Sequence, residues 1–191
     1  MSKQDKREEI IQTSLEIIAE HGFHGAPMAM IADLSGVAVG TIYRYFESKD
    51  VLITELYKEM EGRIYPVVLK GYAPEKPVRA RFFHLITSLL RYFINNPLDF
   101  RFLEQFHNSP YGVACRRDKF FKTKGRSDVF HELFEDGISQ QVMKDLPVII
   151  ISDLAFGSII SIARDHILGF IVLDDTLIER TTEACWDGIK R

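Results

Sequence analysis

Apolar residues recur with the period of an α-helix along nearly the whole chain, and no segment shows the alternation typical of a half-buried β-strand. The first predicted helix ends at Gly22, a residue that commonly stops helices. Further helices are predicted over residues 27–34, 39–45, 49–71, 77–95, 98–107, 128–141, 147–169 and 176–190. Residues 108–126 show no clear period and are predicted to be irregular. The sequence therefore predicts an all-α fold.

The composition limits the size and setting of the protein. Its 191 residues are 46% hydrophobic and 27% charged, which is enough apolar material for one large domain or two small ones. Cys115 and Cys185 are too few for a disulfide framework and suit a reducing compartment, so we expect a cytoplasmic protein. The most apolar stretch, residues 146–163, contains Asp153. This favours a buried helix over a membrane span.

The clearest break in composition is the stretch 71–77, which contains a glycine and two prolines. A long helix beginning at Lys49 precedes it, and Pro66 is expected to interrupt that helix. The helix predicted after the break is mainly apolar, with one polar stripe expected to face solvent. This stripe consists of Arg81, His84, Ser88, Arg91 and Asn95.

Two short predicted helices joined through Gly36 describe a helix-turn-helix, whose second helix enters the major groove of DNA. Residues 31–52 read IADLSGVAVGTIYRYFESKDVL. This run closely resembles the DNA-binding signature of the TetR family of bacterial transcriptional regulators. The resemblance implies a helix-turn-helix DNA-binding domain at residues 1–48 and a helical effector-binding and dimerisation domain at residues 49–191. It also implies a regulator, usually a repressor, that binds double-stranded DNA.

Three small residues open the predicted recognition helix. Gly40 lacks a side chain, which allows the helix backbone to approach the duplex; close packing against another helix is the alternative. Val39 and Thr41 can touch a thymine methyl group, and the Thr41 hydroxyl can also reach a base or a phosphate. We therefore expect all three to lie at the DNA interface.

Four larger residues complete the predicted DNA-binding set. Tyr43 and Tyr45 carry hydroxyls suited to phosphate oxygens, with a partly buried core position as the alternative for each. Arg44 either contacts a phosphate or guanine or is merely solvated. Lys49 begins the next helix, where free N–H groups and the helix dipole already favour a phosphate.

The charge balance requires this interface to be local. The net charge is −3, and residues 1–63 contain 7 basic and 11 acidic residues, a net of −4. DNA binding therefore depends on a local basic patch. Arg44 and Lys49 supply part of it. Lys3, Lys6 and Arg7 form either an arm near the DNA backbone or a frayed terminus.

The resemblance also implies a mostly apolar effector cavity in the second domain. Of the 14 phenylalanines, 12 follow residue 80. Phenylalanine at helical spacing forms core as readily as pocket, so both interpretations stay open. The effector is expected to be small and largely apolar. Candidate effector-binding residues are Phe83, Phe102, Phe106, His107, Phe130 and Phe134.

A homodimer is expected because helix 147–169 is apolar nearly all round and contains small residues that permit close helix approach. The resemblance implies that the last two helices pair with their symmetry mates and that the dimer binds a palindromic operator. Gly62 and Pro66 weaken one turn of the long helix. We expect effector binding to act through this turn on the separation of the two recognition helices.

Other functions have weaker support in the sequence. The chain lacks the common nucleophile, P-loop, zinc-protease and paired-cysteine motifs, so we expect no enzyme activity, no cofactor and no metal. His131 and Glu135 share a helical face, which an exposed polar surface explains. Six basic residues within 116–126 form either a solvated loop or a contact for an anion. The alternative function is a helical small-molecule-binding protein or enzyme without operator binding.

Overall fold

The computed structural model describes residues 3–121 and 128–191, without the side chains of residues 3–4 and 119–121. Its regular elements in these ranges are α-helices, which confirms the predicted all-α fold. They are α1 (Lys3–His21), α2 (Met28–Leu34), α3 (Val39–Tyr45), α4 (Lys49–Val68), α5 (Val78–Asn95), α6 (Pro97–His107), α7 (Pro110–Phe121), α8 (Val129–Ser139), α9 (Val148–Ile167) and α10 (Asp175–Ile189). None of the described helices is long and apolar enough to cross a membrane.

Residues 110–121 form helix α7, so the prediction of an irregular segment from residue 108 is wrong there. Ser109 precedes the helix, and its hydroxyl accepts a hydrogen bond from the Gly112 N–H at 3.4 Å. Pro110 occupies the first helical position, where a missing N–H costs nothing. The pair Ser109-Pro110 is typical of a helix start and could have predicted α7, although the apolar period of the segment is weak.

The sequence predicted a helix over residues 49–71 that Pro66 interrupts. In the structure α4 runs through Pro66 without a break in the helix. The helix continues to Val68 with Pro66 inside it, and Gly71 then takes a φ of +76°. A proline in this position cannot donate a hydrogen bond to the carbonyl of Gly62. The effect of Pro66 is therefore a local loss of one hydrogen bond.

The described residues fall into two compact units. The first contains the chain up to Arg63 together with Asn96–Arg117, and the second contains Ile64–Asn95 and Asp118–Arg191. The division passes through α4 between Gly62 and Pro66. It differs from the domain boundary after residue 48, which stays a prediction.

The core of the first unit joins α6 to the N-terminal helices. Phe102 and Phe106 are buried, and the Phe106 ring stacks on Tyr57 of α4 with centroids 4.1 Å apart. Ile42 of α3 and Phe46 are also buried. Large apolar groups therefore pack α4 against α6 and bury one face of α3.

The core of the second unit surrounds α5. Phe82 on this helix is fully buried, and its ring centroid lies 5.3 Å from that of Trp186 on α10. Ile159 of α9 and Phe134 of α8 are buried as well. Gly137 lies so close to Met143 that an added Cβ would meet its sulfur at 2.5 Å.

Arg81 is buried, so the predicted solvent-facing stripe of α5 is wrong at this residue. Its side chain is 7% exposed. Its guanidinium donates to Asp136 Oδ2 at 2.6 Å and to the Tyr72 hydroxyl at 2.9 Å. Burial acts to lower the pKa of Arg81, but the hydrogen bonds to Asp136 and Tyr72 outweigh it and raise the pKa. A buried guanidinium is tolerated because its donors are satisfied.

We expect Arg81→Met to lower the free energy of unfolding by about 2 kcal/mol, because it removes the hydrogen bonds of a buried guanidinium to Asp136 and Tyr72. The matched control is Arg91→Met. Arg91 is exposed on the same helix and pairs with exposed Asp175 at 2.8 Å, so its loss should cost less than about 1 kcal/mol. Urea unfolding followed by the fluorescence of Trp186 measures both. Equal losses would contradict the structural role of Arg81.

Candidate nucleic-acid interface

The turn between α2 and α3 follows from local hydrogen bonding. The Ser35 hydroxyl donates to the Ile31 carbonyl at 2.6 Å, and Gly36 adopts a φ of +63°. The Val37 N–H then donates to the Ala32 carbonyl at 3.0 Å, which closes the end of α2. Helix α3 begins two residues later. The predicted helix-turn-helix is therefore present.

Helix α3 has one buried and one exposed face. Ile42 is fully buried, whereas Val39, Gly40, Tyr43 and Arg44 are exposed. These four positions lie along one side of the helix because one turn takes 3.6 residues. Tyr43 is half exposed, which rules out the core position considered for it.

Thr41 and Tyr45 flank this exposed face. Both are half-buried, and the Tyr45 ring centroid lies 6.5 Å from that of Phe46. Tyr45 therefore combines a ring contact with partial access to solvent, and Thr41 is likewise partly accessible.

No packing constraint explains the glycine at position 40. A Cβ built on Gly40 would meet no atom within 4 Å. Close packing against another helix of the described chain is thus not the reason for this residue. At this point the exposed face of α3 leaves room for a binding partner to approach the helix backbone.

Lys49 lies at the start of α4, where the Ser48 hydroxyl accepts a hydrogen bond from the Val51 N–H at 3.2 Å. The Lys49 ammonium donates to the backbone carbonyl of Phe23. Burial lowers the pKa of Lys49, and the charge of Asp50 opposes that shift. Its acceptor in this structure is neutral, so the positive charge of Lys49 is not cancelled by this bond.

Arg7 connects α1 to α4. Its guanidinium lies 3.0 Å from Glu59 and 3.3 Å from Glu55, and its Cζ lies 5.6 Å from the centre of the Phe46 ring. Arg7 is therefore paired within the first unit and does not form the arm that the sequence analysis considered. The side chain of Lys3 lies outside the described residues. A hydrogen bond from Lys58 is the main cause that lowers the pKa of Glu55.

The six predicted effector residues are divided between the two units. Phe102, Phe106 and His107 belong to the first unit. Phe83, Phe130 and Phe134 belong to the second, where the rings of Phe130 and Phe134 lie 5.0 and 5.9 Å from that of Phe156. The structure thus does not gather the six residues within one unit, and their role stays a prediction.

The second unit contains a cavity of about 690 Å³ between α5 and α10. The predicted effector set contained Phe83 but none of the arginines that line this cavity. Positions 79, 83, 87 and 91 follow each other at helical spacing, which was an available signal. The lining residues are Arg79, Phe83, His84, Thr87, Ser88, Arg91, Glu179, Arg180 and Glu183.

Within the described ranges, no group of three or more histidine, cysteine or acidic residues has a geometry that could hold a metal ion. His131 Nε2 lies 3.2 Å from Glu135 Oε1, as a pair one helical turn apart. Of the basic segment within 116–126, Lys122, Lys124 and Arg126 lie outside the described residues.

The family of bacterial regulatory proteins described as the tetR family matches residues 10–56, which include α3 and Lys49. A tetracyclin repressor-like C-terminal domain matches residues 77–190, which is more than half of the chain. The chain belongs to the TetR family of bacterial transcriptional regulators. It is thus a DNA-binding regulator of transcription.

Individual relatives agree with membership of the TetR family. A solved TetR family protein from Vibrio parahaemolyticus is 31% identical, with 98% of this chain and 99% of that chain covered and a TM-score of 0.77. The fatty acid metabolism regulator protein of Bacillus subtilis is 43% identical over 61 residues, which are 32% of this chain and 31% of that protein. The B. subtilis regulator FadR, solved with stearoyl-CoA, has a TM-score of 0.71 at 20% identity over 95% of this chain and 96% of its own, which shows a likeness of fold.

We expect Gly40→Ala to weaken DNA binding by about tenfold without loss of stability. An added methyl on α3 meets no protein atom but would meet a closely approaching duplex, while alanine favours a helix by up to about 1 kcal/mol over glycine. Gly62→Ala is the matched control, because Gly62 is also helical with open space at Cβ. Fluorescence anisotropy with a selected duplex and thermal unfolding test both variants. Unchanged affinity of Gly40→Ala would argue against contact at this position.

Proposed function

We propose that this protein is a repressor that binds an inverted-repeat operator as a homodimer and is released by a small, largely apolar effector. The observation that carries the proposal is the exposed face of α3, with its uncrowded Gly40. Its place of action would be the cytoplasm, on the bacterial nucleoid. Without operator binding, a helix with this exposed face and composition would have no evident use.

The exposed residues suggest a division of labour on DNA. Val39 and Thr41 would contact base edges in the major groove, where the thymine methyl group is available. The hydroxyls and charges around them would contact phosphates and so set the orientation of α3. This second group consists of Tyr43, Arg44, Tyr45 and Lys49.

A two-fold dimer is supported by apolar surface in the second unit. Ile150 and Leu154 on α9 are exposed, as is Leu168 after it, and Phe170 and Val172 are 75% and 79% exposed. Burying such side chains against a second copy would remove them from water. A dimer would present two α3 helices to successive major grooves about 34 Å apart.

The effector is proposed to bind the second unit. The cavity between α5 and α10 lies within the roughly 300–1,000 Å³ typical of small-molecule sites, and it contains Phe83 from the predicted set. Arg79 and Arg91 of its lining are paired with Glu183 and Asp175, so Arg180 is the guanidinium that an apolar molecule with an acidic group would meet. The stearoyl-CoA bound to the B. subtilis FadR makes a long-chain acyl group the first apolar moiety to test, supplied as its acyl-CoA.

Two substitutions should separate phosphate contact from base recognition. Lys49→Ala should weaken binding to all duplexes and reduce the dependence of affinity on salt by about one contact per subunit. Thr41→Ala should instead change the preferred base at one position of each half-site. Selection from randomised duplexes, followed by salt titration, measures both effects. If the wild-type protein enriches no inverted repeat, the operator proposal is wrong.

The weakened turn of α4 should matter for release. Pro66→Ala restores the hydrogen bond to the Gly62 carbonyl and stiffens the helix at the division between the units. We expect it to change acyl-CoA-induced release of a selected operator by about threefold or more, with operator affinity itself nearly unchanged, since effector coupling is typically about 1–3 kcal/mol. Anisotropy titrations of the protein–operator complex test this. Unchanged release by an active effector would exclude the hinge and leave the repressor proposal intact.

A further inference from the structure

A tyrosine far along the chain reaches the first turn of α4. The hydroxyl of Tyr111 on α7 donates to Asp50 Oδ1 at 2.5 Å. Asp50 is the second residue of α4 and directly follows Lys49. This hydrogen bond, with burial and the charge of Asp50 adding to it, raises the pKa of Tyr111 to about 12.

Tyr111 is one of four residues that contact each other in a circuit. Its ring centroid lies 5.6 Å from that of Phe23, which follows the end of α1. The carbonyl of Phe23 accepts the hydrogen bond from the Lys49 ammonium. The circuit closes through the covalent bond between Lys49 and Asp50. We call Phe23, Lys49, Asp50 and Tyr111 the Tyr111 cluster.

The position of Asp50 poses an electrostatic problem for DNA binding. A carboxylate near a helix N-terminus stabilises the helix, but it repels a phosphate at the same place. It would also compete with a phosphate for the Lys49 ammonium. Within the described structure Lys49 and Asp50 form no ion pair with each other, although they are adjacent. The carboxylate is held by the Tyr111 hydroxyl and the ammonium by the neutral Phe23 carbonyl.

We propose that Tyr111 is a positioning residue for operator binding, because its hydroxyl holds the Asp50 carboxylate apart from Lys49 and so leaves the ammonium available to a DNA phosphate. This inference rests on the proposed operator-binding function. It assigns a role in DNA binding to a residue that lies outside the helix-turn-helix. Tyr111 acts through Asp50 and does not itself touch DNA.

If Tyr111 has this role, substitutions of Tyr111 and of Asp50 should not change operator affinity in the same direction. Tyr111→Phe keeps the ring against Phe23 but releases the Asp50 carboxylate, so operator affinity at low salt should fall by about fivefold. Asp50→Asn removes the competing charge, so affinity should stay equal or rise. A merely structural Tyr111–Asp50 bond predicts the opposite for Asp50→Asn, since weakening that bond from either side would then lower affinity.

The experiment is a double-mutant cycle on a selected operator, measured by anisotropy from low to physiological salt. In the Asp50→Asn background, Tyr111→Phe should cause no further loss of affinity. In the Lys49→Ala background, it should also have little effect. The fivefold loss of the single variant should shrink as salt rises, because screening weakens the competition of Asp50 for Lys49.

Tyr72→Phe is the matched control. It removes a hydroxyl that accepts a hydrogen bond from Arg81 in the second unit, and operator affinity should be unchanged. Thermal unfolding of each variant checks that the fold is retained. If Lys49→Ala leaves affinity unchanged, the proposed role of Lys49 on DNA fails, and this inference fails with it. If Lys49→Ala weakens binding but Tyr111→Phe does not, or if Asp50→Asn weakens it like Tyr111→Phe, this inference alone is overturned.

Discussion

Packing of α6 against the N-terminal helices is the interaction on which the rest of the first unit depends. Phe102 is fully buried in this core, and Phe106 stacks on Tyr57 of α4. Because α7 follows α6 after a short turn, the same packing sets Tyr111 beside the first turn of α4. The first turn of α4, which contains Lys49, thus contacts a residue 61 positions away in sequence. A helix-turn-helix alone would be too small to supply this core.

Residues 1–63 have a net charge of −4, so DNA binding by this segment depends on which of its basic residues are already paired with carboxylates. Arg7 is paired with Glu55 and Glu59, and Arg63 lies 3.5 Å from buried Asp99. These pairs join helices to one another and are not available to DNA. Lys49 differs from these arginines, because its hydrogen-bond acceptor is a neutral backbone carbonyl and not a carboxylate. Affinity for DNA is therefore expected to rest on few phosphate contacts and on the fit of α3, with a modest salt dependence.

In the second unit, a buried arginine links separate parts of the chain, and a cavity lies between α5 and α10. The buried Arg81 joins Tyr72, which follows α4, to Asp136 on α8. His84 on the same helix lies 3.1 Å from the Val68 carbonyl at the end of α4, and it also lines the cavity. A ligand in the cavity would therefore lie next to a residue that contacts the last turn of α4. This gives the proposed effector response a short physical route to that helix.

The sequence by itself determined the features that depend on neighbouring residues. Helical period, the turn at Gly36 and the pattern from Val39 to Lys49 act within a few positions, so they predicted the all-α fold and the helix-turn-helix. The sequence missed α7, where the start signal at Ser109 was present but the apolar period was weak. Only the tertiary structure decided that Arg81 is buried and that Tyr111 meets Asp50, 61 residues away. Such contacts depend on how whole helices pack, and no local pattern encodes which distant partner a side chain will meet.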